Sequence, residues 1–391
     1  MSQQRAMIVD KSETCAVLRA CAASLVALTL TMLDAALAEA AELVIAHVGP
    51  YSGSAAAAGA EYGSGAKLYF EHVNGQGGVN GARIALVARD DAGDPELTRS
   101  QAADLLPLKP IAFIGAAGTD SVNSLVRVLE KLEIPLLGPI IDLAGVDATS
   151  GRGVFHIRPN ARQEVEGLVG HLNALGFKNI ALCDQRDRSG MRAEVEEDPR
   201  QAAKLAVIPR CGGDSTDIDA AASAVMNARS QAVVLIGQTG RAAEFIKALR
   251  AQGSYAMIVT ASSVDPEALA AMLPPATKVW LAVAENMPNP AARVRFHGDP
   301  VVQEFLEIRS RSGSPVPLSR TSLAGFVTAK ILVEAVRRAG MSPTSADVLK
   351  ALSGPKEFAI GGMTFNFSRT DSPAIIHTRV GIIGSHGAVL N

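Results

Sequence analysis

Residues 44–95 read VIAHVGPYSGSAAAAGAEYGSGAKLYFEHVNGQGGVNGARIALVARDDAGDP. An apolar run comes first, then a Ser/Gly loop. Ala58, Tyr62, Ala66, Tyr69 and Val73 follow at intervals of three or four residues, which predicts one face of a helix. A Gly-rich turn at 74–81 leads into a second apolar run and the acidic pair Asp90-Asp91. Asp94-Pro95 reads as an N-cap followed by Pro in the first helical position. Strand, helix, strand, helix in close succession predicts a parallel sheet covered by helices.

Outward from this stretch the alternation continues. Apolar runs at 43–48, 84–88 and 111–114 belong to a first unit, about 41–155, and runs at 179–183, 205–208 and 232–236 to a second, about 160–280. Two further helices are expected at 301–312 and 321–340, then short strands near Phe365 and Arg379. Leu323, Phe326, Ala329, Leu332, Val333 and Val336 give the second of these helices an apolar face suited to a core. The last hundred residues exceed the needs of two units, so the chain is expected to return to the first. The fold class is therefore α/β, with two lobes that are each a mostly parallel sheet flanked by helices. Open sheets of this kind bind ligands at the carboxyl ends of their strands, here facing a cleft.

Composition narrows the function. The 391 residues carry a net charge of -2 and only 4% aromatics, with no basic stripe. Nucleic acid is therefore not an expected partner. Residues 1–38 read as a signal peptide: Arg19 precedes an apolar run at 20–33, and Ala36-Leu37-Ala38 has the form of a cleavage site. An uncleaved anchor is the alternative, though the run is short for a membrane span. Cys15 and Cys21 would leave with the leader, and Cys183 and Cys211 would remain as a possible disulfide in an oxidising compartment. No cysteine stands where a lipoprotein would need one.

Enzyme signatures are missing. The chain has no G-x-S-x-G, H-E-x-x-H or Walker A pattern, and its seven histidines are scattered without ligand spacing. Gly115-Ala116-Ala117-Gly118 follows a strand but is not a dinucleotide fingerprint. Neither a cofactor nor a metal is expected.

Several segments together carry a resemblance: GPYSG (49–53), NGQGGVNG (74–81), DDAGDP (90–95), FIGAAGTDS (113–121), IPLLGP (134–139), VFHIRPN (154–160) and LAGFVTAKILVEAVRRAG (323–340). In this order they resemble the branched-chain amino-acid-binding (Leu/Ile/Val-binding) group of type I periplasmic solute-binding proteins, over essentially the whole chain after residue 40. The resemblance implies two lobes joined by three crossing segments, near 155–160, 282–288 and 375–381. Lobe 1 would comprise 41–157 with 286–376, and lobe 2 158–285 with 377–391. It also implies a periplasmic monomer that delivers a small solute to the permease of an ABC transporter.

The site can be sketched on matching positions. Ser52, Gly53 and Ser54 precede a helix N-terminus whose N–H groups suit an anion; Ser52 or Ser54 could instead cap that helix, on which Ala58 also lies. Thr119, after Gly118, matches a position that offers a hydroxyl and N–H to a ligand carboxylate, although a helix N-cap accounts for it as well. Asp90 and Asp91 read as organisers of the loop after them. In the second lobe, Ser189, Gln238, Thr239 and Ser262 are polar residues at predicted strand ends. The family's amino-acid contacts fall on Ile140, Ile141 and Asp142, where amino-acid binders usually carry small or hydroxyl residues. An acid beside a ligand carboxylate is costly in a dry site. Either the solute differs from an α-amino acid, for instance a cationic or amide compound drawn to Asp142, or Asp142 caps the next helix. Aromatics found elsewhere in the family are also absent near 186–190 and Thr239. A ligand-sensing module on the same fold is the alternative to transport, and an exported enzyme is disfavoured by the missing catalytic groups.

Overall fold

The computed structural model describes residues 42–141, 153–159, 161–185, 204–207, 217–291, 299–368, 379–383 and 389–390. The expected leader at 1–38, Asp142, Ser189 and Cys211 lie outside the described residues. Cys183, buried on its strand, is disulfide-bonded.

The first sheet contains β1 (Glu42–Gly49), β2 (Arg83–Asp90), β3 (Ala112–Ile114), β4 (Leu136–Leu137) and β5 (Val154–Phe155) in the order β2-β1-β3-β4-β5. From β1 through β5 the pairing is parallel, with Ile45 opposite Ala112 and Leu137 opposite Phe155. The second sheet contains β6 (Asn179–Asp184), β7 (Lys204–Val207), β8 (Ala232–Ile236), β9 (Met257–Thr260), β10 (Leu281–Glu285), β13 (Arg379–Ile383) and β14 (Val389–Leu390). Its order is β14-β13-β10-β9-β8-β6-β7. Read from β7 to β10 this repeats the order of the first sheet; β13 and β14 are added antiparallel at the edge. A hairpin of β11 (Phe358–Ile360) and β12 (Met363–Phe365) turns at Gly361-Gly362, both at positive φ as a tight primed turn requires.

Local sequence explains the helix starts. The helix α1 (Ala56–Gly75) follows β1, and α2 (Pro95–Leu105) begins as expected, Asp94 accepting from the N–H groups of Glu96 and Leu97. The helix α3 (Thr119–Leu129) follows β3. In the second half lie α4 (Ala161–Ala174), α5 (Ile218–Asn227), α6 (Thr239–Ala251) and α7 (Pro266–Met272). The Asp-Pro device recurs at α7 and at α8 (Pro300–Ser312). A Ser319/Ser322 capping box starts α9 (Arg320–Ala339), and Thr344/Asp347 starts α10 (Ser345–Leu352).

The expected return of the chain is observed. Phe326, Leu323, Ile331 and Leu332 of α9 share a core with Ile45, Tyr62, Phe70 and Ile114, and Phe305, Phe358 and Phe365 join it. Burying each such phenylalanine contributes about 1.5–3 kcal/mol. The helices α1 and α9 meet backbone to backbone. A Cβ on Gly65 would lie 1.8 Å from the Ser322 carbonyl oxygen, and one on Gly325 would lie 2.0 Å from that of Tyr62. Tyr62 then donates to Thr328 Oγ1 at 2.7 Å across the same contact. Separate cores hold the second sheet, from Val165 to Ala284 and on to Ile383.

Gly325→Ala should therefore destabilise the protein by about 3 kcal/mol or more, since two helices must separate. Gly75→Ala, at the open end of α1 with nothing within 4 Å of the added methyl, should be neutral or slightly stabilising. Urea unfolding of both variants checks the contrast, and equal losses would refute it.

Candidate functional site

Both sheets share the order 2-1-3-4-5, and each therefore has a switch point where connections leave in opposite directions, the place at which open α/β sheets form a ligand crevice. In the first sheet this lies beyond the carboxyl ends of β1 and β3. In the second it lies beyond β6 and β8.

At the first switch point, the loop after β1 is tied to β2. Asp90 Oδ1 accepts from the N–H groups of Tyr51 at 2.8 Å, Ser52 at 3.2 Å and Ala92 at 2.8 Å. Hydrogen bonding from the Ser52 hydroxyl, and then from the Tyr51 and Ala92 N–H groups, lowers the Asp90 carboxyl to about 2. Asp91, fully buried, accepts from Gly93 N–H at 2.9 Å and Thr98 Oγ1 at 2.8 Å. Both acids organise the loop, as the sequence suggested. Ser52 and Ser54 do not cap α1: the N-cap is Ala55, with no side-chain cap, because Ser52 is drawn to Asp90 instead. Ala58 is half-buried in the first turns of that helix.

Thr119 is not an N-cap either. Gly118 holds that position at φ 85°, and Thr119 is the first helical residue, half-buried beyond the carboxyl end of β3. Its neighbour across the loop is Ile140, through a parallel bridge at Ala117: Ile140 N–H donates to Ala116 O at 2.7 Å and Gly118 N–H to Ile140 O at 3.0 Å. Ile140 packs partly against the first core, whereas Ile141 is buried in the cluster of Phe113, Val122 and Leu136. Gly118, Thr119 and Ile140 are thus brought together, and Ile141 is turned inward.

Sequence reasoning overlooked His47. It is fully buried near the end of β1, its Nδ1 2.8 Å from Tyr51 Oη, and burial lowers its pKa to about 4. Its Nε2 has no partner among the described residues and faces the glycines of the switch point; a Cβ on Gly115 would come within 2.6 Å of it. The alternation of the strand could have flagged a histidine among inward residues, but not its bond to Tyr51.

In the second sheet, Gln185 and Gly237 sit at the switch point, Gln185 N–H donating to Ile236 O at 2.7 Å. Thr239 begins α6, with Gln238 as an N-cap that makes no side-chain cap bond, and Thr239 Oγ1 accepts from Asp265 N–H at 3.0 Å. Ser262, after β9, is held by Glu164 of α4: its N–H reaches Oε1 at 2.6 Å and its Oγ reaches Oε2 at 3.0 Å. Asn286 Nδ2 donates to Ser262 Oγ at 2.6 Å. Burial raises the Glu164 pKa, opposed by the bonds from Ser262.

Beside this network lies a cavity of about 280 Å³ bounded by Arg158, Ser262, Ser263, Glu285, Asn286 and Arg320. Asn286 Oδ1 and Ser263 Oγ are buried there without a partner among the described residues. Buried polar atoms are nearly always paired, so these two mark the polar part of the cavity wall. No group of three or more His, Cys, Asp or Glu side chains among the described residues is arranged to hold a metal ion, and no described helix is long and apolar enough to cross a membrane.

The neutral state of His47 makes stability depend on pH. Its folded pKa lies below the ordinary 6.5, so its contribution is complete above 6.5 and declines as pH falls toward 4. The loss should be on the order of 3 kcal/mol. Measured by urea unfolding from pH 7.5 to 4, His47→Gln should lack this decline relative to the unsubstituted chain; parallel curves would sink the assignment.

Comparison with known proteins places these features in context. A family model described as periplasmic binding protein matches residues 42–381. The Leu/Ile/Val-binding protein homolog 8 of Brucella melitensis is 26% identical over 382 residues, with 88% of each chain covered. An amino acid binding protein of Pseudomonas aeruginosa is 26% identical over 240 residues, covering 59% of this chain and 63% of its own, a little under two thirds of that relative. The crystal structure of a substrate-binding periplasmic protein from Ralstonia solanacearum superposes with a TM-score of 0.64 at 30% identity, covering 89% of this chain and 99% of that one.

Proposed function

Because the chain belongs to the periplasmic binding protein family, we propose that it captures one small polar solute between its two lobes and delivers it to the permease of an ABC transporter. The observation that carries this reading is the polar cavity beside Ser262, with Asn286 Oδ1 and Ser263 Oγ left unpaired. Asn286 Oδ1 can accept a hydrogen bond and the Ser263 hydroxyl can accept or donate one, which suits a polar solute such as an amino acid or a related amide. At the other lobe, Thr119 and the free N–H groups at the start of α3 offer donors for an acidic or carbonyl end. The relatives named for Leu/Ile/Val binding and for amino acid binding support this class of solute.

The composition of the cores supports the lobe boundaries. Phe155, Ile157 and Met287 pack with the first sheet, whereas Val165 through Ala284 pack with the second. Lobe 1 then comprises 41–157 with 286–376, and lobe 2 158–285 with 377–391. The reading includes export to the periplasm with the leader removed near Ala38, and hinge closure as the binding motion.

A thermal-shift screen of amino acids, amides, polyamines and aromatic acids tests the proposal. A solute present at about 100 times its Kd should add about 2.7 kcal/mol of stability. For the solute found, Ser263→Ala should weaken binding about fivefold to tenfold through a lost hydrogen bond while leaving the solute-free melting point unchanged. Thr119→Ala should weaken it similarly. Full affinity in both variants would place the solute elsewhere.

A further inference from the structure

Arg320 is the first residue of α9. The start of a helix is the positive end of its dipole, where a cation is unfavourable unless something else holds it. Here two carboxylates do. Arg320 Nη1 donates to Glu267 Oε2 at 2.9 Å and Nη2 to Glu267 Oε1 at 3.0 Å, a two-pronged fork, and Nη2 also reaches Glu285 Oε1 at 3.1 Å. The three residues come from two different parts of the fold. The helix α9 is packed into the core of the first sheet through Leu323 and Phe326. Glu267 opens α7, whose Leu269 and Ala270 belong to the core of the second sheet, and Glu285 ends β10 of that sheet.

The cluster is also supported from behind. Asn289, just past the crossing segment after β10, donates to Glu267 Oε1 at 2.7 Å. The Glu285 side chain is 4% exposed, that of Arg320 23% and that of Glu267 46%, so the Glu285 arm is shielded while the outer side of the fork meets solvent. The pair with Glu285 is screened less than a surface pair, and the planar guanidinium makes the fork to Glu267 directional. A fork at 3 Å tolerates little movement: a shift of about 1 Å between α7 and α9 carries it beyond hydrogen-bond length.

From this geometry we infer that Arg320, Glu267 and Glu285 form a latch between the lobes that fixes their relative angle. Rotation of one lobe against the other must break or re-form the fork. The latch therefore biases the population of interlobe angles, and with it the fraction of molecules ready to bind. The inference rests on the two-lobe reading above but needs no solute for its test.

The test uses spin labels at Ser100→Cys on α2 and Lys247→Cys on α6, both exposed positions on different lobes, and pulsed electron-spin distance measurement on solute-free protein. Glu267→Gln, which removes the charge of a residue that does not line the cavity, should shift the mean distance or broaden its distribution at least twofold. Arg320→Lys keeps the charge and loses the fork, and should broaden it also. Circular dichroism confirms folding of each. Distributions that superimpose on that of the unsubstituted pair in both variants overturn the latch. Such a failure would leave the thermal-shift result untouched, just as a screen that finds no solute would leave the latch standing.

Discussion

The approach of α1 to α9 is the constraint on which the first lobe depends. Gly65 and Gly325 remove the side chains that would keep two helix backbones apart, and the contact is then closed by Phe326, Tyr69 and Tyr62 with Thr328. A segment some 260 residues away in sequence thereby becomes the neighbour of the first helix. The same contact positions the start of α9, where Ser319 Oγ donates to Glu61 at 2.6 Å and Arg320 reaches the second lobe. Packing in one lobe and a charge contact with the other are thus set by one close crossing.

The second organising feature is repetition of a strand order. Each sheet offers a loop that crosses its switch point and a helix that begins beside it, with Thr119 and Thr239 both as first helical residues. Their surroundings differ. In the first lobe the loop is held by Asp90 and His47, and the start of α3 keeps its N–H groups free. In the second, Thr239 is already engaged by Asp265, and the polar interest moves to Ser262, Ser263 and Asn286. One architecture thus yields two strand ends with different polar groups around them.

Much of this was legible in the chain. The long apolar runs at β1, β2, β3, β6 and β8, the period of α1 and the Asp94-Pro95 start are local signals, and local physics produced them. The two-residue strands β4 and β5 are too short to show a period, and β10 was singled out only as part of a crossing segment. At the site, the loop-organising role of Asp90 and Asp91 followed from their position before Gly93. Caps at Ser52, Ser54 and Thr119 did not, because Asp90 captured Ser52 from a different strand and Gly118, at positive φ, took the cap position. Ser262 was visible as a polar residue after a strand; that Glu164 and Asn286 grip it was not, since those partners lie 98 and 24 residues away. Ile141 shows the same limit, for a side chain's inward or outward sense in a short irregular segment is decided by the neighbours it meets.

The late arrival of α9 also bears on how the polypeptide acquires its shape. The first β-strand and first helix are made early, yet the partner that covers them is encoded at residues 320–339. Contacts of such long sequence separation form slowly, because a large loop must close before they stabilise anything. Until ribosomes have passed that point, α1 carries an uncovered apolar face and its lobe has no finished core. In a chain arranged in this order, the first lobe can complete its core only after nearly the whole sequence has been made, however early its strands and first helix appear.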